Sequence, residues 1–346
     1  MAEGYPRLLG DIGGTNARWA WQSAAGSALQ HYREYPCAQF ESVQAVIERY
    51  LGDEGLTQPA RAAFGIATPV TGDVVQMTNH HWTFSIRELQ QALNVTHCLV
   101  LNDFAAIAVA LPVLGPSDVR AVGGGKAEAA APRVVLGPGT GLGVASLIHS
   151  SAGRTVVVAG EGGHVSLAPA NAREFAVIDW LQKRFGHASA ERAISGPGLV
   201  SLYRAICAID GQTALNLKPS DISAHAANST RFDPADPADP AAQNEACKDA
   251  CKAACKEALQ LFGAFLGSVA GNLALTLGAM GGVYIGGGIV PRLGTAFDAL
   301  PFRERFEDKG RFRGYLQNIP TFVITAPAPA LYGAARALDA LDALHA

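Results

Sequence analysis

Leu8-Leu9-Gly10-Asp11-Ile12-Gly13-Gly14-Thr15-Asn16 has a counterpart further along the chain, Val134-Val135-Leu136-Gly137-Pro138-Gly139-Thr140-Gly141-Leu142-Gly143. Each glycine turn follows an apolar run and precedes residues of strand-like bias, Trp19-Ala20-Trp21 in one case and Val144-Ala145-Ser146-Leu147 in the other. Each therefore reads as strand, glycine-rich hairpin, strand. Glycine lacks a Cβ, so backbone N–H groups can come close to a phosphate. One such turn is an ordinary hairpin. Two of them, each with a threonine, predict two loops closing on one polyphosphate from opposite sides.

Outward from the first turn, strands and helices alternate. Val43, Val46, Ile47, Tyr50 and Leu51 have helical spacing, and Ala62–Ala67 is a buried-strand run stopped by Pro69 and the Gly72-Asp73 turn. Ser85 with Glu88 three residues on is a capping box for a helix to Leu93. Cys98-Leu99-Val100-Leu101 is a strand that runs directly into Asn102-Asp103. The second half repeats the order: hairpin, a third strand at Thr155–Ala159, helices, and a late strand at Val283–Ile285 before Gly286-Gly287-Gly288. This alternation predicts an α/β core. The predicted division is a small domain over 1–113, carrying the first turn, and a large domain over 114–330, carrying the second. A final helix at about 331–346 packs back on the small domain.

Composition narrows the function classes. At 346 residues the chain exceeds one comfortable core, and 49% hydrophobic with 16% charged residues describes an ordinary globule. A net charge of −3 supplies no field for nucleic acid or an anionic membrane, and neither is expected as a partner. Met1–Pro6 lacks the basic start and apolar stretch of a secretion signal, so a cytoplasmic location is expected. The apolar segment Leu259–Met280 is broken by Gly263, Ser268, Gly271, Asn272 and Gly278 and reads as a buried helix. Six cysteines without a secretion signal imply free thiols, and Cys247, Cys251 and Cys255 share one helix face as a partly buried stripe. The Asp-Pro-Ala repeat starting at Asp233 reads as an exposed loop.

The chemistry-bearing candidates follow the strands. Asp103 stands where a parallel strand should end, the edge at which open α/β sheets bind ligands, and can take a proton from a substrate hydroxyl. Its alternative role, shared with Asn102, is to cap the helix that follows. At the ordinary aspartate value of about 3.9, Asp103 would be ionised at neutral pH. Glu161-Gly162-Gly163-His164 and Glu191 add two carboxylates and an imidazole. Three carboxylates, an amide and a His suit a polyhydroxyl ligand, since each hydroxyl donates to one group and accepts from another. A metal cage is the competing use, and Glu161-x-x-His164 does not complete one. Asp11 is placed to hold Mg²⁺ through water beside bound phosphates, or to bond its own turn. There is no G-x-x-x-x-G-K-[ST] run, and the second turn has no G-x-G-x-x-G, so neither a P-loop nor a dinucleotide fold is expected.

In these motifs the chain resembles the bacterial hexokinase-like glucokinases of the actin/sugar kinase/heat-shock ATPase superfamily. The resemblance runs through Gly10–Arg18, Met77-Thr78-Asn79-His80, Leu101–Phe104, Leu136–Gly143, Glu161–His164, Glu191-Arg192 with Ser195–Gly198, and Gly281–Ile289, in family order. It implies two actin-like (ribonuclease H-like) α/β domains with a cleft between them, and phosphorylation of D-glucose to glucose 6-phosphate by ATP with Mg²⁺, the first step of glycolysis. It implies that Gly10, Asp11, Ile12, Gly13, Gly14 and Thr15, with Gly139, Thr140 and Gly141, hold the phosphates. Gly286 and Gly287 would line the adenosine side. Asp103 would be the base, and Asn102, Glu161, His164 and Glu191 would hold sugar hydroxyls beside it. It also implies a cytoplasmic homodimer. A kinase for another hexose or amino sugar, a sugar-responsive regulator on the same scaffold, and polyphosphate as donor are the alternatives.

Overall fold

The apolar run before each glycine turn is a strand, and so is the run after it. The computed structural model of the chain describes residues 4–149, 155–226 and 245–345. In chain order the first half comprises β1 (Arg7–Ile12), β2 (Asn16–Gln22), β3 (Gln30–Pro36), α1 (Val43–Asp53), β4 (Arg61–Ile66), β5 (Val74–Gln76), β6 (Thr83–Ser85), α2 (Ile86–Ala92), β7 (His97–Asn102) and α3 (Asp103–Ala110). There follow β8 (Val119–Ala121), β9 (Arg133–Pro138), β10 (Leu142–His149), β11 (Thr155–Gly160), α4 (Ala172–Phe185), α5 (Gly196–Ile209), α6 (Pro219–Ala226) and α7 (Glu245–Leu277). The chain ends in β12 (Val283–Ile285), α8 (Val290–Leu293), α9 (Phe302–Glu307), α10 (Arg313–Gln317), β13 (Thr321–Ile324) and α11 (Pro329–His345).

Two sheets share a five-strand order, to which the second adds β8 at its edge. The first has the order β3-β2-β1-β4-β7, in which β1, β2 and β3 form an antiparallel meander and β4 and β7 run parallel to β1. The second has the order β11-β10-β9-β12-β13-β8, with β12 parallel to both β9 and β13. Contacts group the chain into two units, Met1–Val119 with Ala145–Ala159 and Ala326–Ala346, and Arg120–Val144 with Gly160–Thr325. The sequence-based division differs in keeping 145–159 with the second half.

In the first unit, Trp19 stacks on Tyr50 and meets Phe64 edge-on in a core with Ile12, Val46 and Ile66. Ser42 and Ser85 cap α1 and α2 by accepting from Ala45 and Glu88 N–H. On the other sheet face, Leu331, Ala334 and Leu338 of α11 pack with Leu9, Ala20 and Ala63. The buried Arg7 guanidinium donates to Asp339 at 2.6 Å and to the Ala335 carbonyl at 3.3 Å, tying β1 to α11. In the second unit α7 runs through the core, with Phe262, Phe265 and Leu266 buried. Its 249–277 stretch is long and apolar enough to cross a membrane, yet most of it is buried against protein, as the glycine and serine breaks predict. Cys251 and Cys255 are buried on one face of α7. The Cys247 side chain and the Asp-Pro-Ala loop lie outside the described residues.

Candidate active site

Parallel pairing fixes what emerges at the carboxyl edge of the first sheet. Ile12 is in register with Ile66, and Ile66 with Asn102. The first glycine turn, the segment after β4 and the Asn102-Asp103 pair therefore leave the sheet side by side. Asn102 is the N-cap of α3, its Oδ1 accepting from Phe104 N–H at 3.0 Å and Ala105 N–H at 3.1 Å. Its Nδ2 donates to Asp103 Oδ1 at 3.0 Å and to the Thr68 carbonyl at 3.4 Å. Asp103 Oδ1 also accepts from Phe104 N–H at 2.9 Å. The cap and the candidate base are thus one construction: Asn102 closes the helix and at the same time holds one oxygen of Asp103.

The expectation of an ordinary aspartate does not survive the structure. Burial, with the Asp11 carboxylate adding to it, pushes Asp103 up to about 7, against the opposing pull of the Phe104 N–H and Asn102 bonds. Asp11 is raised as well: burial outweighs Arg18, whose Nη1 lies 3.3 Å from Asp11 Oδ2. A hard oxygen donor left under-compensated by its one arginine fits a divalent cation nearby. Among the described residues no group of three or more His, Cys, Asp or Glu could cage a metal.

The second unit gathers the remaining candidates. The Gly139 N–H donates to the Gly141 carbonyl at 2.8 Å, and the Gly196 N–H at the start of α5 donates to the Gly139 carbonyl at 2.8 Å. Leu142 N–H, at the exit of the turn, donates to Glu191 Oε2 at 2.8 Å. A Cβ on Gly141 would lie 2.5 Å from that same oxygen, so only glycine leaves the carboxylate its place. Glu191 lies in a short 3-10 turn, Ala190–Arg192, ahead of α5. Its carbonyl accepts from the Ser195 hydroxyl at 2.7 Å, and Ser195 caps α5. Ala190 N–H donates to the Val165 carbonyl at 2.8 Å, setting the Gly162–His164 turn beside it. Glu161 and His164 point into solvent, 69% and 61% exposed, with 3.9 Å between Oε2 and Nε2. Gly286 N–H donates to the Leu136 carbonyl at 2.9 Å. Gly287 has a φ of +77°, and a Cβ there would lie 2.4 Å from the Pro138 carbonyl. Gly286 and Gly287 thus pack on the second turn.

Within the first unit, then, Asp11, Gly13, Gly14, Asn102 and Asp103 share one sheet edge. Within the second, Gly139–Gly141, Glu161, His164, Glu191, Gly286 and Gly287 share another. The matching family model is glucokinase, over residues 8–341. The chain belongs to the glucokinase family. It is 47% identical over 335 residues to a glucokinase of Chromobacterium violaceum, covering 97% of this chain and 90% of that one. It is 48% identical over 336 residues to a glucokinase of Aromatoleum aromaticum, covering 97% and 95%. The crystal structure of a glucokinase from an Antarctic psychrotroph superposes with a TM-score of 0.83 at 35% identity, over 97% of this chain and 99% of that one. The duplicated sheet is the two-domain actin-like fold of that family.

Two features of this glucokinase-family site are not expressed in the local motifs. One is the Leu142 N–H bond to Glu191, between residues far apart in the chain. The other is Thr68, which follows β4 at the same edge as Asn102, and whose position before Pro69 at a strand end was the available signal.

Proposed function

We propose that the reaction of this chain runs through Asp103 as general base. The chain phosphorylates glucose with ATP, giving glucose 6-phosphate. The sugar 6-oxygen forms the new bond to the γ-phosphorus, the bond from that phosphorus to the β,γ-bridging oxygen breaks, and ADP leaves. The hydroxyl proton passes to Asp103 and then to solvent. Phosphoryl transfer of this kind depends mostly on positioning and charge stabilisation. Asp103 suits the role because Asn102 and the Phe104 N–H hold one of its oxygens, while burial raises its basicity to about 7. A base near working pH combines the ionised form with a useful driving force for proton transfer. The placement of that carboxylate at the sheet edge, with Oδ1 held by Asn102 Nδ2 and the Phe104 N–H, carries the reading.

Asn102, Glu161, His164 and Glu191 hold the sugar hydroxyls, as paired acceptors and donors. Gly10–Thr15 and Gly139–Gly141 bring the backbone of the two turns close to the phosphates, although the Gly13 and Gly139 N–H groups are themselves given to the Asn16 and Gly141 carbonyls and Gly10–Ile12 lie within the paired strand β1; Gly286-Gly287 borders the adenosine. Asp11 would hold Mg²⁺, which would supply neutralisation of the phosphate charge. The working form is a cytoplasmic homodimer. The test is a coupled assay crossing several hexoses and amino sugars with ATP, ADP and polyphosphate, run on the wild type and Asp103→Asn. Turnover confined to glucose with ATP, and lost in the variant, is expected. Near-normal turnover in Asp103→Asn would remove the base from this reading.

A further inference from the structure

The Met77-Thr78-Asn79-His80 motif has no part in the reaction as described so far. It lies at the end of β5, in the two-stranded ribbon of β5 and β6, where Gln76 pairs with Thr83. Asp73 pins that ribbon, accepting from Ser85 Oγ at 2.6 Å and Arg87 N–H at 3.0 Å. Thr68 joins the ribbon to the end of β4. Its hydroxyl donates to the Gln76 carbonyl at 3.0 Å and lies 3.0 Å from the Thr78 hydroxyl. A hydroxyl has one proton. With Thr68 donating to Gln76, the proton in the second contact belongs to Thr78. Thr68 is buried, and its carbonyl is the group that takes Asn102 Nδ2–H.

We propose that Thr68, fastened by Thr78, is a positioning residue that fixes the orientation of Asn102 and through it Asp103. The inference rests on the reading of Asp103 as base. Asn102 Oδ1 is committed to two helix N–H groups, so Nδ2 must face Thr68 O and Asp103 Oδ1. The amide cannot turn over without setting its NH2 against those N–H donors. Thr68 O is the outer wall of that arrangement, and the hydroxyl bonds to Gln76 and Thr78 keep the wall still. If the segment drifts, Asn102 tilts and the free oxygen of Asp103 leaves the line to the hydroxyl proton. Thr68 touches neither the reacting atoms nor the phosphates in this scheme, so it acts through Asn102 on kcat and on the KM for glucose and leaves the KM for ATP alone.

The experiment compares steady-state kinetics for glucose and ATP in the wild type, Thr68→Val, Thr68→Ser, Thr78→Val and Asp103→Asn. Valine keeps the shape and removes the hydroxyl. Thr68→Val should lower kcat about 10- to 100-fold, the scale expected of a misplaced catalytic group, with the KM for ATP within about two-fold. Thr68→Ser retains the hydroxyl and should recover most of kcat, whereas a purely packing role would leave valine near the wild type and make serine, which lacks the methyl, the slower of the two. Thr78→Val, at an exposed side chain, should lower kcat a few-fold in the same direction and answers the question even if Thr68→Val fails to fold. An unchanged kcat in both valine variants, or a serine variant no better than valine, overturns the proposal. An active Asp103→Asn would bring down the base reading itself; an inactive one beside a normal Thr68→Val brings down only the role of Thr68.

Discussion

In the first unit the Ile12 carbonyl, at the last residue of β1, accepts from Ala67 N–H at 2.9 Å; in the second, the Leu136 carbonyl accepts from Gly286 N–H at the same distance. The two sheets correspond in register at this point, since Ile12 pairs with Ile66 as Leu136 pairs with Ile285. One residue further along, Thr68 corresponds to Gly287, and one strand across, Asn102 corresponds to Val323. So the first unit fills this edge with side chains: a buried threonine, an amide and the Asp103 carboxylate. The second fills it with backbone, where Gly287 in a left-handed conformation presses against the Pro138 carbonyl and the position after Val323 is Ile324. A duplicated scaffold has specialised. On the proposed reading one edge carries the proton chemistry, while the other shapes a glycine cradle and takes its carboxylates from elsewhere, from the turns at Glu161 and Glu191.

The sharpest way to break this comparison is Asp103→Asn. If proton transfer belongs to the first unit alone, kcat should fall about 10²- to 10⁴-fold, the usual worth of a general base. The same substitution carries a stability signature. The folded-state pKa of Asp103 is raised to about 7 from 3.8, so the fold favours the protonated form. Its ionisation therefore costs stability that is absent below about pH 4 and grows as pH rises towards 7. Asparagine removes that cost, and thermal melts should show a gain of roughly 1–3 kcal/mol at pH 8, shrinking to nothing near pH 4. A variant that is inactive and also less stable at pH 8 would mean Asp103 is not a strained base.

Next in size is the pH profile of the wild type. With Asp103 active only when ionised, kcat/KM should drop about tenfold for each pH unit below about 7. An ordinary carboxylate would keep full activity down to about pH 5. A flat profile between pH 5 and pH 7 would return Asp103 to the ordinary range and erase the electrostatic difference between the two edges.

Much of this was legible in the residues. The two hairpins follow from apolar runs around glycines, the Ser42 and Ser85 caps from local spacing, and the strand-end position of Asn102-Asp103 from the alternation of elements. What local spacing does not encode is contact between distant segments. Asp103 is raised by burial and by Asp11, which reaches it only because β1, β4 and β7 pair in parallel register. Glu191 meets Leu142 only because the turn before α5 folds back on the β9–β10 hairpin. Thr68 stood in plain view at a strand end, but its partners Gln76 and Thr78 come from a ribbon whose pairing short, weakly patterned strands do not announce.

A smaller effect sharpens the difference within the second edge. Gly141 has no left-handed φ, so alanine there is conformationally allowed and acts only through its Cβ, 2.5 Å from Glu191 Oε2. The carboxylate is a side-chain terminus and will move, losing the Leu142 N–H bond. Gly141→Ala should therefore raise the KM for glucose about tenfold, an outcome unexpected of a residue in a phosphate turn, with the KM for ATP raised less. Equal increases in both constants would mean that Glu191 serves the turn and not the sugar.

The smallest effect belongs to Gly13, the matching test of the first turn. A Cβ there meets only the Asn16 carbonyl, at 3.2 Å, a contact relieved by a shift of a few tenths of an ångström. Among the described residues no carboxylate accepts from an N–H of this turn as Glu191 accepts from Leu142; Asp11 is bonded sideways to Arg18. Gly13→Ala should thus leave the KM for glucose unchanged and raise the KM for ATP less than about three-fold, since it crowds the N–H groups offered to phosphate and disturbs no sugar ligand. Run beside Gly141→Ala under one set of conditions, it asks whether the two turns differ in what they are tied to. A glucose KM that rises equally in both variants would show that the coupling of turn to sugar does not depend on Glu191, and the distinction between an edge built from side chains and an edge built from backbone would lose its functional meaning.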